Sequence, residues 1–93
     1  MIEGKTKSGF EYSIDERALN DRDLLKAVRD FDAAESKIKQ ITALDKVISL
    51  LLRDNEDQLM EHIASLNDGY KPIDKVYAEV YEMINASEKI KNS

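Results

Sequence analysis

Apolar and polar residues alternate strictly over one short stretch of the chain, and beyond it the period changes for good. Phe10, Tyr12 and Ile14 are separated by Glu11, Ser13 and Asp15, the two-residue period of a strand with one buried face. Gly9 marks a turn just before it, and the loop length follows from which side chains must share a face. A two-residue Ser8-Gly9 loop would set Phe10 and Tyr12 opposite Lys7 and Lys5. A three-residue Lys7-Ser8-Gly9 loop pairs Thr6 with Phe10, Gly4 with Tyr12 and Ile2 with Ile14. That register gathers the apolar side chains on one face and puts glycine where a left-handed residue is required. It is the one expected. A lone hairpin is marginal in water, so its apolar face is expected to lie on helices.

From Asp15 the pattern turns helical. Asp15 to Asn20 reads as a connector, and Asn20 with Asp23 three residues on reads as the N-cap and acidic first turn of a helix. That helix, Asp21 to Asp32, carries the stripe Leu24, Val28 and Phe31, flanked by Leu25 and Ala27. Ala33 to Ser36 is a soft break, and Ser36 suits the cap of the next element. In the second helix, Lys37 to Arg53, the apolar residues Ile38, Ile41, Leu44, Val47, Ile48, Leu50, Leu51 and Leu52 span roughly 240° at about 100° per residue. Only Lys39, Thr42, Lys46, Ser49 and Arg53 share a polar strip. A helix this apolar must be surrounded, as the centre of the domain or under a partner.

Asn55 with Gln58 fits a capping box. Leu59, Met60, Ile63 and Leu66 mark a third helix of about eleven residues, ended by Asn67-Asp68-Gly69. Pro72 suits the first turn of a last helix, whose stripe of Ile73, Val76, Tyr77, Val80, Tyr81, Met83 and Ile84 is about 160° wide. From Ala86 the sequence is polar, and residues 86–93 are expected to fray. The reading is therefore an α+β, mainly α, single domain over residues 1–93. A hairpin at 1–15 packs on a bundle of about four helices at 21–85.

Composition narrows the function. The chain has 93 residues, a net charge of −5, one proline and no cysteine, so disulfide and thiolate chemistry are excluded. The opening MIEGKTKSGF has no apolar core of a signal peptide, and the longest apolar run, Leu50-Leu51-Leu52, is far short of a membrane span. A cytoplasmic protein without membrane contact is expected. Basic residues are scattered among carboxylates and make no face for phosphates, so no nucleic-acid partner is expected.

Catalytic candidates are few. His62 is the lone histidine, and helix neighbours Gln58 and Leu66 offer it no acid, so a partly buried side chain is the plainer reading. Asp54, Glu56, Asp57 and Glu61 resemble a calcium loop only superficially, since DNEDQLMEHIAS lacks the glycine of its sixth position. They are expected to complement a helix dipole instead. The three glycines are isolated, which excludes a phosphate loop, and the second helix is too apolar to lie in a DNA groove. No enzyme activity, cofactor or metal is expected. The residues singled out for protein binding are Tyr77, Tyr81, Met83 and Leu50. Tyrosine and methionine favour adaptable interfaces, and helices two and four carry more apolar circumference than a small core needs.

Two stretches, TKSGFEYSIDERALNDRDLLKAV (Thr6 to Val28) and PIDKVYAEVYEM (Pro72 to Met83), resemble the tail assembly chaperones of long-tailed bacteriophages and of prophages of Gram-positive bacteria. Those proteins are small, acidic and mostly helical, and begin with a comparable hairpin ending in a D-E-x-x-L stretch. The resemblance implies a non-enzymatic helper that binds the tape-measure protein and recruits tail-tube subunits, acts in the bacterial host cytoplasm and is absent from the mature virion. Apart from the resemblance, self-association into a homo-oligomer would cover the same apolar surface of helices two and four, and the sequence does not separate that use from client binding. Many members are made in two lengths by a ribosomal frameshift; this chain would be the short form, and its EKIKN end is compatible with a slippery site. Some members carry an aromatic residue where Arg22 stands and glycine where Arg53 stands. A structural phage component of the head–tail connector type and a small regulatory adaptor, antitoxin-like in kind, remain as alternatives.

Overall fold

Strands Ile2–Lys5 (β1) and Glu11–Ile14 (β2) pair antiparallel, with Ile2 opposite Ile14 and Gly4 opposite Tyr12. This computed structural model describes the backbone of residues 1–91 and the side chains of residues 1–88. The hairpin register is the one that the facing of side chains required. The loop closes with Thr6 and Phe10 exchanging a bond (Thr6 N–H to Phe10 O, 2.9 Å), and Gly9 sits at φ +101°. A side chain at that φ would be strained. Gly4 is needed for a different reason: a Cβ there would come within 2.6 Å of Tyr12 Cζ, because the ring lies flat across it. Ile2, Thr6, Phe10, Tyr12 and Ile14 are all buried on one face, and the helices cover it.

Four α-helices follow: Arg22–Ala33 (α1), Lys37–Leu52 (α2), Glu56–Leu66 (α3) and Ile73–Lys91 (α4). The fold is mainly α with an N-terminal hairpin, as the sequence pattern required. Helix α2 is central and contacts α1, α3, α4 and β2, while β1 lies against α4. Its Leu44, Val47, Ile48, Leu51 and Leu52 are buried, and the strip of Lys39, Thr42, Lys46, Ser49 and Arg53 faces solvent.

Several local expectations need correcting. The connector before α1 is a 3-10 turn, Glu16–Asn20, which takes in Asn20 and moves the cap of α1 to Asp21. The Asp21 carboxylate accepts from the amides of Asp23 (2.7 Å) and Leu24 (3.3 Å). Ser36 caps α2 as expected, accepting from the Lys39 amide. Asn55 precedes α3 but makes no capping bond, because it already belongs to a second 3-10 turn, Arg53–Asn55. Helix α4 does not end at Ala86. It runs on to Lys91, with Ser87 wholly buried, since the core extends a full turn further than the polar sequence suggests. Residues 92–93 of the expected tail lie outside the described residues.

Charge contributes little to holding this together. Among the described residues the ion pairs are Arg17–Asp15, Arg22–Asp23 and Lys26–Asp30, all at the surface, where such pairs contribute about 0–1 kcal/mol. Hydrogen bonds from the Arg17 side chain and then its amide hold Asp15 well below the usual carboxylate range.

Arg53 ends α2 at φ +52° and ψ −111°, a region that glycine enters freely and other residues do not. Arg53→Gly should therefore raise stability by about 1 kcal/mol despite its looser unfolded chain. Chemical denaturation reads this directly, and an unchanged or lower midpoint would contradict the strain.

Candidate functional site

The residues singled out for protein binding separate when placed in the fold. Tyr77 and Tyr81 lie one turn apart on α4, and Tyr77 meets α1. The Tyr77 ring stacks on Phe31 with centroids 4.3 Å apart and planes 11° from parallel, and Tyr81 leans on Tyr77 at 5.7 Å. The Tyr77 hydroxyl points to Asp32 Oδ1 at 3.4 Å. Burial, and after it the Asp32 charge, push the Tyr77 phenol above its ordinary range. Tyr77 is half-buried, whereas Tyr81 is 52% exposed. The result is a three-ring ladder whose last ring faces water on a support that cannot rotate freely. Stacked pairs of this kind contribute about 0.5–1.5 kcal/mol beyond area burial. Beside it lies an open depression of ≈ 450 Å³ bordered by Phe31, Lys37, Gln40, Ile73 and Tyr77.

Met83 does not belong to this edge. It is fully buried, because two helix positions past Tyr81 turn it about 200° away into the core cluster. Leu50 is half-buried against the same core and takes no part in the aromatic contact. The apolar excess foreseen on α2 is likewise smaller than its circumference suggested. It comes down to the first turns of the helix, where Ile38 is 78% exposed and Ile41 also reaches solvent.

A second grouping escaped the sequence reading. The Ser8 hydroxyl at the hairpin tip lies 2.9 Å from His62 Nε2 on α3 and donates to Glu79 Oε1 on α4. Close by, the Lys7 amide donates to Glu82 Oε2 (2.8 Å), and Phe10 packs on the His62 ring at 5.6 Å. Glu79 is 9% exposed, and its Oε2 has no partner among the described residues. Serine, histidine and an acid together suggest nucleophilic catalysis, but the order is different. Activation by relay places the imidazole between hydroxyl and carboxylate; here the hydroxyl stands in the middle. The arrangement ties the hairpin to two helices. No spacing in the sequence announces it, since Ser8 is separated from His62 by 54 residues and from Glu79 by 71.

Among the described residues, no helix is long and apolar enough to cross a membrane. Comparison with protein-family models, with curated proteins and with solved structures finds no match.

Two outcomes check the placement of these side chains. Met83→Ala should lower stability by about 2–4 kcal/mol through the cavity it leaves, measured by denaturant unfolding; a loss near zero would return Met83 to the surface. In a spectrophotometric titration Tyr77 should ionise above the ordinary tyrosine range, and its packing should be lost only as strong alkali is reached. Replacement of Asp32 by Asn should bring the transition down toward that range.

Proposed function

We propose that this chain is a non-enzymatic protein-binding domain whose contact edge is the Tyr77–Tyr81 ladder. Following the resemblance of its sequence, we further propose a phage or prophage tail assembly chaperone that binds tape-measure and tail-tube proteins. The observation that carries the reading is Tyr81 itself: a large amphipathic ring, half in water, braced by Tyr77 and Phe31. A braced aromatic gives up little rotamer freedom on binding, which is why tyrosine recurs as an anchor of interfaces. The exposed Ile38 and Ile41 add aliphatic surface on α2, and the charged surroundings keep such surface soluble.

At one position the chain departs from the residue that the family carries. Arg53 occupies a positive-φ conformation where some tail assembly chaperones carry glycine, the residue that this conformation favours. The host cytoplasm, absence from the virion and self-association belong to the same proposal.

Tyr81→Asp tests it. Co-expressed with the tape-measure and tail-tube proteins of the same gene cluster, the wild-type chain should co-purify with them. The variant should lose about tenfold or more in affinity, as expected for an aromatic anchor, with an unchanged far-ultraviolet circular dichroism spectrum. Equal recovery of partners by both proteins would exclude the aromatic edge, and failure of the wild type to retain either partner would exclude the chaperone assignment.

A further inference from the structure

One face of the hairpin is covered by helices, but the outer edge of β1 is open. Thr6 gives its amide hydrogen to Phe10 O across the pair. Gly4 and Ile2 stand in phase with Thr6, so their backbone groups also turn inward to Tyr12 and Ile14. Glu3 and Lys5 are out of phase, and their amide and carbonyl groups point away from β2. Both residues are exposed. The backbone hydrogen bonds of turns and loops among the described residues include none that uses those outward groups. The next outward amide, that of Lys7, is taken by Glu82 Oε2 on α4. The free segment therefore runs from Glu3 to Lys5, and an edge with unspent donors and acceptors accepts another strand.

We propose that the occupant of this edge is β1 of a second copy of the chain, antiparallel about a two-fold axis at Gly4. Only registers that bring outward groups together can form the ladder, and charge separates them. Glu3 opposite its own counterpart sets two carboxylates face to face. Lys5 opposite its own counterpart sets two ammonium groups face to face, and it asks the committed Lys7 amide to pair with Glu3. Centring on Gly4 pairs Glu3 of each copy with Lys5 of the other, and each pair exchanges both of its backbone bonds. Opposite charges directly across a ladder support it, and like charges destabilise it. Each Lys5 then lies between Glu11 of its own hairpin and Glu3 of the other copy, so charge alternates across the joined sheet. Gly4 meets Gly4 at the axis, the closer kind of position, with Cα atoms about 4.5 Å apart and no side chain to obstruct them.

The other edge does not offer this. The outward groups of β2 belong to Glu11 and Ser13, neither of them a cation, so no self-paired register there joins opposite charges. β1 against β2 of another copy joins one such pair, Lys5 with Glu11, and grows without closing. Charged side chains ordinarily guard an edge against pairing; on β1 they guard it in every self-paired register except the one centred on Gly4. This contact gives the self-association proposed above a place on the strand edge, away from Tyr81. It needs no client, so loss of the chaperone reading leaves it intact.

Sedimentation equilibrium of the full chain tests it. The wild type should show a weak monomer–dimer equilibrium, as suits so short an edge, and no larger species. Glu3→Lys and Lys5→Glu each set like charges opposite and should weaken the dimer about tenfold. Mixed in equal amounts, the two variants should associate about as tightly as the wild type, because one chain then presents two lysines to two glutamates of the other. Dilution of the wild type, followed by nuclear magnetic resonance, reads the contact without any variant: the Glu3, Gly4 and Lys5 amides should shift with concentration, and those of Glu11 and Ser13 should not. A wild type that stays monomeric up to about 1 mM overturns the proposal. So do growth beyond the dimer, concentration-dependent shifts confined to other residues, and a mixture of folded variants no tighter than either alone.

Discussion

A two-stranded hairpin with every large apolar side chain on one side cannot stand by itself in water. Ile2, Phe10, Tyr12 and Ile14 are all buried on that side, and each contributes about 1.5–3 kcal/mol when covered. Something must cover them, and the covering helices are shaped by that need. Helix α2 is apolar round most of its circumference because it meets β2, α1, α3 and α4 at once. Helix α4 lies against β1 and runs past the point where its sequence turns polar. Even Gly4 answers to the same contact: the Tyr12 ring occupies the place that a side chain would need.

This division of labour leaves the outer surfaces free for other uses. The three surface ion pairs among the described residues are of a kind that hardly affects stability. The aromatic ladder is different, since Tyr77 is fixed by Phe31 and Tyr81 rests on Tyr77. An edge of that sort is stiff before any partner arrives, and stiffness lowers the entropy lost on association. The carboxyl group of Glu79 stands at the other extreme, largely buried with one oxygen served by Ser8 and the other by nothing among the described residues. Such a group is stable only while the elements around it stay together.

Much of the fold could be read from the residues because facing has a strict period. The hairpin register came out correctly since a slip of one residue would have turned Phe10 and Tyr12 to water. The polar strip of α2 was legible for the same reason. Where two residues of similar chemistry compete, the pattern could not choose. Asn20 and Asp21 both cap well, and a 3-10 turn decided for Asp21. Tyr81 and Met83 both belong to a wide stripe, and only packing shows that Met83 is inside. The Ser8–His62–Glu79 hub was beyond reach because its members share no helix and no strand. His62 drew notice for being the only histidine, but its partners come from the opposite ends of the chain.

Those partners carry a consequence for biosynthesis. Residues 6 to 14 are translated before the groups that secure them: His62, Glu79 and Glu82 leave the ribosome some fifty to seventy-five residues afterwards. Contacts spanning most of a chain form late and slow its folding. Until α4 has been synthesised, Phe10, Tyr12 and Ile14 have no complete shelter. The nascent polypeptide thus passes through a stage in which this ribbon is made but its apolar face is still uncovered.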